Sequence, residues 1–262
     1  RSAIQHAMNL KLQDEAAFFA EYQNEPLPAD TGEAEELSAD QIAARRARGE
    51  TAAEGLSVVA VCDGSGFKRL FSELGVDTVP GGPKLNPSTE EILRVVDAAA
   101  GAEVVIFPNS PNVVLAAEEA GRKSAKTVAV VKCDSMQEAL EALSLLDPDS
   151  SAAEFAATAE EAIGEVRTAS VAKAARADRE GRFGVGDAIG LVGGEVISWG
   201  TPQAALEGAI AAISEGAEVL TIIAGAEAPL DNGEIESLAP PELEVSVLDG
   251  RQATHWWLLS AV

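Results

Sequence analysis

The chain has 262 residues, enough for one large domain or two small ones with sizeable cores. Its 43 acidic residues outweigh 19 basic ones to leave a net charge of −24, so phosphate backbones and anionic membranes are repelled and nucleic acid is not an expected partner. No run approaches the ~18 apolar residues of a membrane helix, and no secretory core opens the chain, so neither a membrane partner nor export is expected and a cytoplasmic location is.

Residues 1–55 differ from the rest. They begin on Arg1 instead of Met, which reads as a fragment or a processed chain, and carry five basic against eleven acidic residues. Helical spacing over 2–22, a Pro-bearing linker over 26–36 and a charged helix over 38–48 make this a leader without a packed core of its own.

From residue 56 strands and helices alternate. The β-branched run 56–62 leads into the turn Asp63-Gly64-Ser65-Gly66 and a helix over 67–74. A short strand at 76–79 precedes Gly81-Gly82-Pro83-Lys84-Leu85-Asn86-Pro87-Ser88-Thr89, which opens a helix over 88–99. A strand at 104–108, a helix from Asn112 to about 123, a strand at 127–132 and a helix at 134–146 complete a parallel βα lobe over 56–150. The break Asp147-Pro148-Asp149-Ser150 then introduces an α+β lobe over 151–262. Its expected parts are an Ala-rich helix at 151–165 and a strand at 166–174. A hairpin over 188–198 turns at Gly193-Gly194, and a helix runs over 202–214. Strands at 217–224, 243–248 and 256–262 enclose a short helix at 230–238. The fold class is α/β, two-lobed, with a parallel lobe followed by a mixed-sheet lobe.

Several runs offer chemistry beside a structural role. Gly64, Ser65 and Gly66 stand where a doubly wound fold holds phosphate, yet the third glycine of a dinucleotide fingerprint and the Gly-Lys-Ser/Thr of a P-loop are missing, so a tight turn competes with a phosphate site. Gly81 and Gly82 allow close backbone approach, and Asn86, Ser88 and Thr89 could hold a carboxylate at a helix N-terminus. Ser88 and Glu91 equally make a capping box. Asn109 and Asn112 follow a strand end, where open α/β sheets bind ligands, and Asn112 is equally a natural N-cap. His255, Trp256 and Trp257 form an aromatic cluster suited to an interface or to a core edge. Cys62 and Cys133 end strand-like runs and read as free thiols, with a disulfide between neighbouring strand ends left open. Two cysteines and two histidines lack metal-ligand spacing, and no catalytic set stands out, so no metal, no cofactor and no catalytic residue is assigned.

Ordered motifs carry a family resemblance. They are Asp63-Gly64-Ser65-Gly66-Phe67-Lys68, Leu74-Gly75-Val76-Asp77, Gly81-Gly82 with Asn86-Pro87-Ser88-Thr89-Glu90-Glu91, Pro108-Asn109 with Asn112-Val113-Val114-Leu115, and Gly186-Asp187-Ala188-Ile189-Gly190-Leu191. From 56 to 262 the chain resembles the C-terminal region of the Dak-type fatty-acid kinase catalytic subunit, DegV-like in fold. It departs at Pro83-Lys84, Ser110-Pro111, Lys132-Cys133-Asp134-Ser135 and the final His255-Trp256-Trp257. The resemblance implies a noncatalytic module, with a kinase domain in cis or in trans, that engages a separate fatty-acid-carrying protein. A fatty acid or other carboxylate held between the lobes is the alternative, and a homodimer is a further partner to consider. About residues 3–26 resemble a piece of phage terminase large subunits, without that family's catalytic motifs.

Overall fold

The computed structural model describes residues 53–262. The expectations for the leader and its terminase-like stretch lie outside the described residues.

Short runs of Val and Ile, buried on both faces, build a parallel sheet of β1 (Ala53–Cys62), β2 (Asp77–Pro80), β3 (Gly101–Phe107) and β4 (Thr127–Val130) in the order β2-β1-β3-β4. Side chains alternate across it. Val58, Ala60 and Cys62 share one core with Phe67 and Phe71 of α1 (Ser65–Glu73), Leu140 of α4 (Met136–Leu143) and Phe155 of α5 (Ala152–Glu165). Val59 and Val61 share the other with Ile92 of α2 (Thr89–Ala98) and Ala117 of α3 (Val114–Lys123). The result is a three-layer α/β lobe.

The second sheet holds β5 (Arg167–Lys173), β6 (Ala188–Val192), β7 (Glu195–Gly200), β8 (Val219–Ala224), β9 (Glu244–Asp249) and β10 (Trp257–Ala261) in the order β7-β6-β5-β10-β8-β9. Its pairings are antiparallel except β8 with β9. Gly193 and Gly194 have φ of 58° and 84°, the positive pair that a primed hairpin turn requires. Helix α6 (Pro202–Ile213) covers one face through Leu206 and Ile210, and α7 (Asn232–Leu238) closes its end through Ile235.

The sequence assigns 151–165 to the second lobe, and the structure corrects this. Ala152, Phe155, Ala156 and Ala159 of α5 pack into the first lobe's core, where the Phe155 ring lies 6.1 Å from that of Phe107. The apolar stripe specifies a buried helix without saying which sheet receives it. The chain therefore passes between lobes at Val166, not near 150.

The two sheets are joined through α4, which is buried almost all round. In β10, Trp257 and Leu259 face α6, while Leu258 joins Ile223 of β8 in the first lobe's core. Ser260, on the same face as Leu258, donates 2.8 Å to Oε1 of Glu141, a buried residue of α4 that Thr221 also hydrogen-bonds. Desolvation raises the Glu141 pKa, outweighing the two hydroxyls, which act to lower it.

Glu141 therefore sets a pH dependence. Its raised folded-state pKa means that its contribution is full below the unfolded carboxyl value and is lost as pH rises through the folded value. Glu91 and Glu154, held down by bonds to Ser88 and Ser151, act in the opposite sense and are common to any Glu141 variant. Urea unfolding of wild type and Glu141→Gln over roughly pH 4–8 should show wild type losing stability relative to the variant as pH rises; parallel profiles would exclude the buried carboxyl as the cause.

Candidate functional site

In the order β2-β1-β3-β4 the chain leaves β1 toward α1 on one face and β3 toward α3 on the other. The C-terminal ends of these neighbouring strands therefore part, the topology that opens a crevice in a doubly wound sheet. A cleft of about 660 Å³ lies there, bounded by the second sheet. Asp63 follows β1, Asn109 follows β3, and Asp134 and Met136 follow β4. Thr168 and Ser170 of β5 and Leu258 of β10 face them across the cleft.

The lining charges are Asp63, Asp134 and Glu138 against Lys84. Burial lowers the pKa of His255 and so disfavours a positive charge there; its Nδ1 lies 2.9 Å from the Thr254 hydroxyl. An incoming carboxylate would thus meet three acids and one lysine. Gln137 lines the cleft with 4% exposure, and its Oε1 is buried without a hydrogen-bond partner. Such an orphaned acceptor costs about 1–3 kcal/mol and is an open position for a donor.

Asn109 is the one expected ligand residue of the Asn pair that reaches this cleft. It is fully buried with φ of 57°, and it ties three strand ends together. Its Nδ2 donates 2.7 Å to the Val61 carbonyl, its N–H donates 3.3 Å to Sγ of Cys133, and that thiol donates 3.1 Å to its Oδ1. Asn112 does not cap α3 as expected; Val113 takes the cap position, and Asn112 is exposed, its N–H donating to the Ser110 hydroxyl. Cys62 and Cys133 are both free and buried, and burial pushes the Cys62 thiol up to about 11 and Cys133 upward too.

The phosphate-turn expectation for Gly64, Ser65 and Gly66 is corrected. Backbone from the second lobe fills the turn: the Phe67 N–H donates 3.0 Å to the Gly250 carbonyl, and a Cβ on Gly66 would fall 1.9 Å from the Asp249 carbonyl oxygen. Gly64, at φ 94°, meets the same Gly250 carbonyl. The glycines admit a neighbouring chain where a phosphate would have to sit.

From the next loop the cleft takes Pro83, Lys84 and Leu85, while Gly81, Gly82, Asn86, Ser88 and Thr89 do not line it. Ser88 and Glu91 close the capping box, with Ser88 N–H and Oγ donating to Glu91 at 2.7 and 2.8 Å, so Ser88 is spent on its own helix. The aromatic expectation is likewise revised. Trp257 is fully buried in the second core and Trp256 packs partly buried against it at 6.1 Å, leaving His255 as the member that reaches the cleft. Among the described residues, no cluster of three or more His, Cys, Asp or Glu is placed to hold a metal ion, and no helix is long and apolar enough to cross a membrane.

Residues 57–261 match the FakA-like C-terminal family of fatty acid kinase. The chain belongs to this family. Protein YloV of Bacillus subtilis is 30% identical over 215 residues, a match spanning 78% of this chain and 38% of YloV. The chain thus spans about two fifths of the length of the curated relatives it matches. The DegV family protein Cg2579 of Corynebacterium glutamicum superposes with a TM-score of 0.55 at 15% identity, covering 81% of this chain and 98% of that one. The Streptococcus pneumoniae fatty acid kinase B3 protein, solved loaded with linoleic acid, gives 0.51 at 10% identity over 79% and 98% of the two chains. These likenesses establish the DegV-like fold. In this member of the family, Gln137, Thr168 and Ser170 are among the cleft residues that the sequence left unmarked. Gln137 sits in the first turn of a helix, where a polar side chain reads as solvent-facing, and only the apposed sheet buries it.

Asn109→Ala should lose the bond to Val61 and place a Cβ residue without Asn's local compensation at positive φ, costing roughly 2–4 kcal/mol in denaturant unfolding. An unchanged midpoint would refute the crosslink.

Proposed function

We propose that this chain is the noncatalytic C-terminal module of a fatty-acid kinase-like protein and that it docks the separate protein that carries the fatty acid. The observation that carries this reading is the charge of the cleft between the lobes. Asp63, Asp134 and Glu138 outnumber Lys84 there, and burial disfavours a charge on His255, so the crevice that would otherwise receive a carboxylate head group repels one. Family membership, and coverage of about two fifths of the relatives, support a module within a longer kinase chain. The kinase B3 protein of Streptococcus pneumoniae, loaded with linoleic acid, supplies the kind of partner such a module would receive. Titrating the chain with a fatty-acid-loaded DegV-type protein from the same genome should give saturable binding in isothermal calorimetry; no binding at high micromolar concentrations removes the docking role.

A second reading is a lipid-binding module. It is favoured by the cleft volume and by the unpartnered Gln137 Oε1, which would accept a bond from a protonated acid or another donor. Native mass spectrometry separates the two. A co-purifying fatty acid that Gln137→Ala loses supports lipid binding, and a lipid-free chain that still binds the loaded protein supports docking alone.

A further inference from the structure

The acids of the cleft between the lobes are held in a way that leaves them available. Asp63 N–H donates 3.3 Å to Sδ of Met136 at the start of α4, and one oxygen of its carboxylate accepts from the Ala253 N–H at 3.1 Å. Glu138 folds back along the first turn of that helix, its Oε2 accepting from the Asp134 N–H at 2.7 Å. Among the described residues each of these two carboxylates keeps its second oxygen unbonded, and the exposed Asp134 keeps both. None of the three is in an ion pair with another described residue, and neither is Lys84. Helix capping accounts for only part of this arrangement. Ser135 Oγ accepts from the Glu138 N–H, and Glu138 is the acid of the first turn, where it serves the positive end of α4. Asp63 comes from the end of β1, and its carboxylate makes no cap bond to α1.

A second observation lies in the same turn. Gln137 is 4% exposed, its side chain lines the cleft, and its Oε1 has no hydrogen-bond partner. A buried acceptor in this state marks a place for a donor. Thr168 and Ser170 face it from β5 with hydroxyls that can also accept. Burial disfavours a positive charge on His255, which leaves Lys84 against three acids. The three carboxylates are not placed to hold a metal ion between them, so the matching cation is one whose donors are spread out. Leu85, Leu191 and Leu258 add apolar lining, and about 660 Å³ is the size of a small-molecule site.

We propose that this cleft binds an alkylammonium or alkylguanidinium group, its charged nitrogens among Asp63, Asp134 and Glu138, a donor to Gln137 Oε1, and its methylene stem on the leucines. Ammonium and guanidinium groups carry several donors and no acceptor, which matches a wall made of acceptors. A carboxylate offers that wall nothing, and an alcohol leaves its charge unmet. Long apolar stems under a cationic head are what lysine, arginine and simple amines share. The same chemistry therefore reaches the cleft from two sources, a free amine or a basic side chain of a docked protein. The inference shares with the docking role only the sign of the cleft, and it stands whether or not a protein binds.

The test follows amide NMR shifts of the whole chain as hexylamine, hexanol and hexanoate are added, three probes with one stem and different heads. Hexylamine, a cation in neutral buffer, should saturate shifts around Asp63 and residues 134–138 with a dissociation constant on the order of millimolar, weakening as salt is added. Hexanoate should leave them unmoved. Asp134→Asn with Glu138→Gln should weaken hexylamine about tenfold and Gln137→Leu about threefold. Lys84→Ala should tighten it about threefold, a gain that a misfolded variant cannot produce, while Glu161→Gln, exposed on α5, binds as wild type. Hexanoate binding as well as hexylamine, or hexylamine binding indifferent to both the double variant and Lys84→Ala, overturns the site. Micromolar spermidine displacing hexylamine identifies a free amine as the occupant. Release of a fatty-acid-loaded DegV-type protein by hexylamine, without tight spermidine binding, identifies a protein side chain. A loaded protein that binds while hexylamine does not removes this site and leaves docking standing, and the reverse result removes docking alone.

Discussion

Everything about the space between the lobes depends on one backbone-to-backbone contact. The first turn of α1 carries no side chain at Gly64 or Gly66, so the strand-end segment Asp249-Gly250-Arg251 lies directly against it. The Phe67 N–H, a donor that a helix N-terminus leaves unsatisfied, is taken by the Gly250 carbonyl. The Asp63 carboxylate accepts from the Ala253 N–H, and Leu258 and Ile223 bury themselves in the first lobe's core. Close approach of main chains leaves little freedom for rotation, and the apolar contacts contribute ~1.5–3 kcal/mol for each large side chain removed from water. The second sheet is thereby held over α4 at a fixed height, which sets the dimensions of the cleft.

The same contact removes one chemistry and creates another. A glycine turn at a helix N-terminus is equipped to receive an anion, and here the anion's place goes to a carbonyl of the chain itself. Polar groups that would be solvated on an isolated first lobe become interior. Glu141 finds two hydroxyls on the opposing sheet, whereas the Gln137 side chain keeps an unmet oxygen beside the cleft. The acids Asp63, Asp134 and Glu138 remain around the opening and give it a sign opposite to that required for a fatty-acid head group.

Much of the fold was legible from pattern. The runs of Val and Ile before glycine turns gave the parallel strands, Ser88-x-x-Glu91 closed as a capping box, and the Gly193-Gly194 pair turned the hairpin. These are local signals, decided within a few residues by backbone sterics and hydrogen-bond geometry. Less legible was the site. Asn86, Ser88 and Thr89 carried the most specific motif, yet none lines the cleft and Ser88 caps its own helix. Asn112 looked like a cap, and the turn closed one residue later. Trp257 read equally as an interface or a core-edge residue, and its strand turns it into the second core.

What the sequence by itself determined was the element order, the two-lobed α/β class and the family, because periodicity and turn chemistry act over short range and the motif order survives without coordinates. Only the tertiary structure decided which lobe receives α5, what fills the glycine turn, which side chains face the cleft and where an apolar face stays open. Those outcomes follow from the meeting of surfaces distant in sequence: Gly66 with Asp249, Glu141 with Ser260, Arg182 with Trp199. No local pattern encodes a contact whose partner lies elsewhere in the chain, since burial and charge at each of these positions are set by what the opposing surface brings.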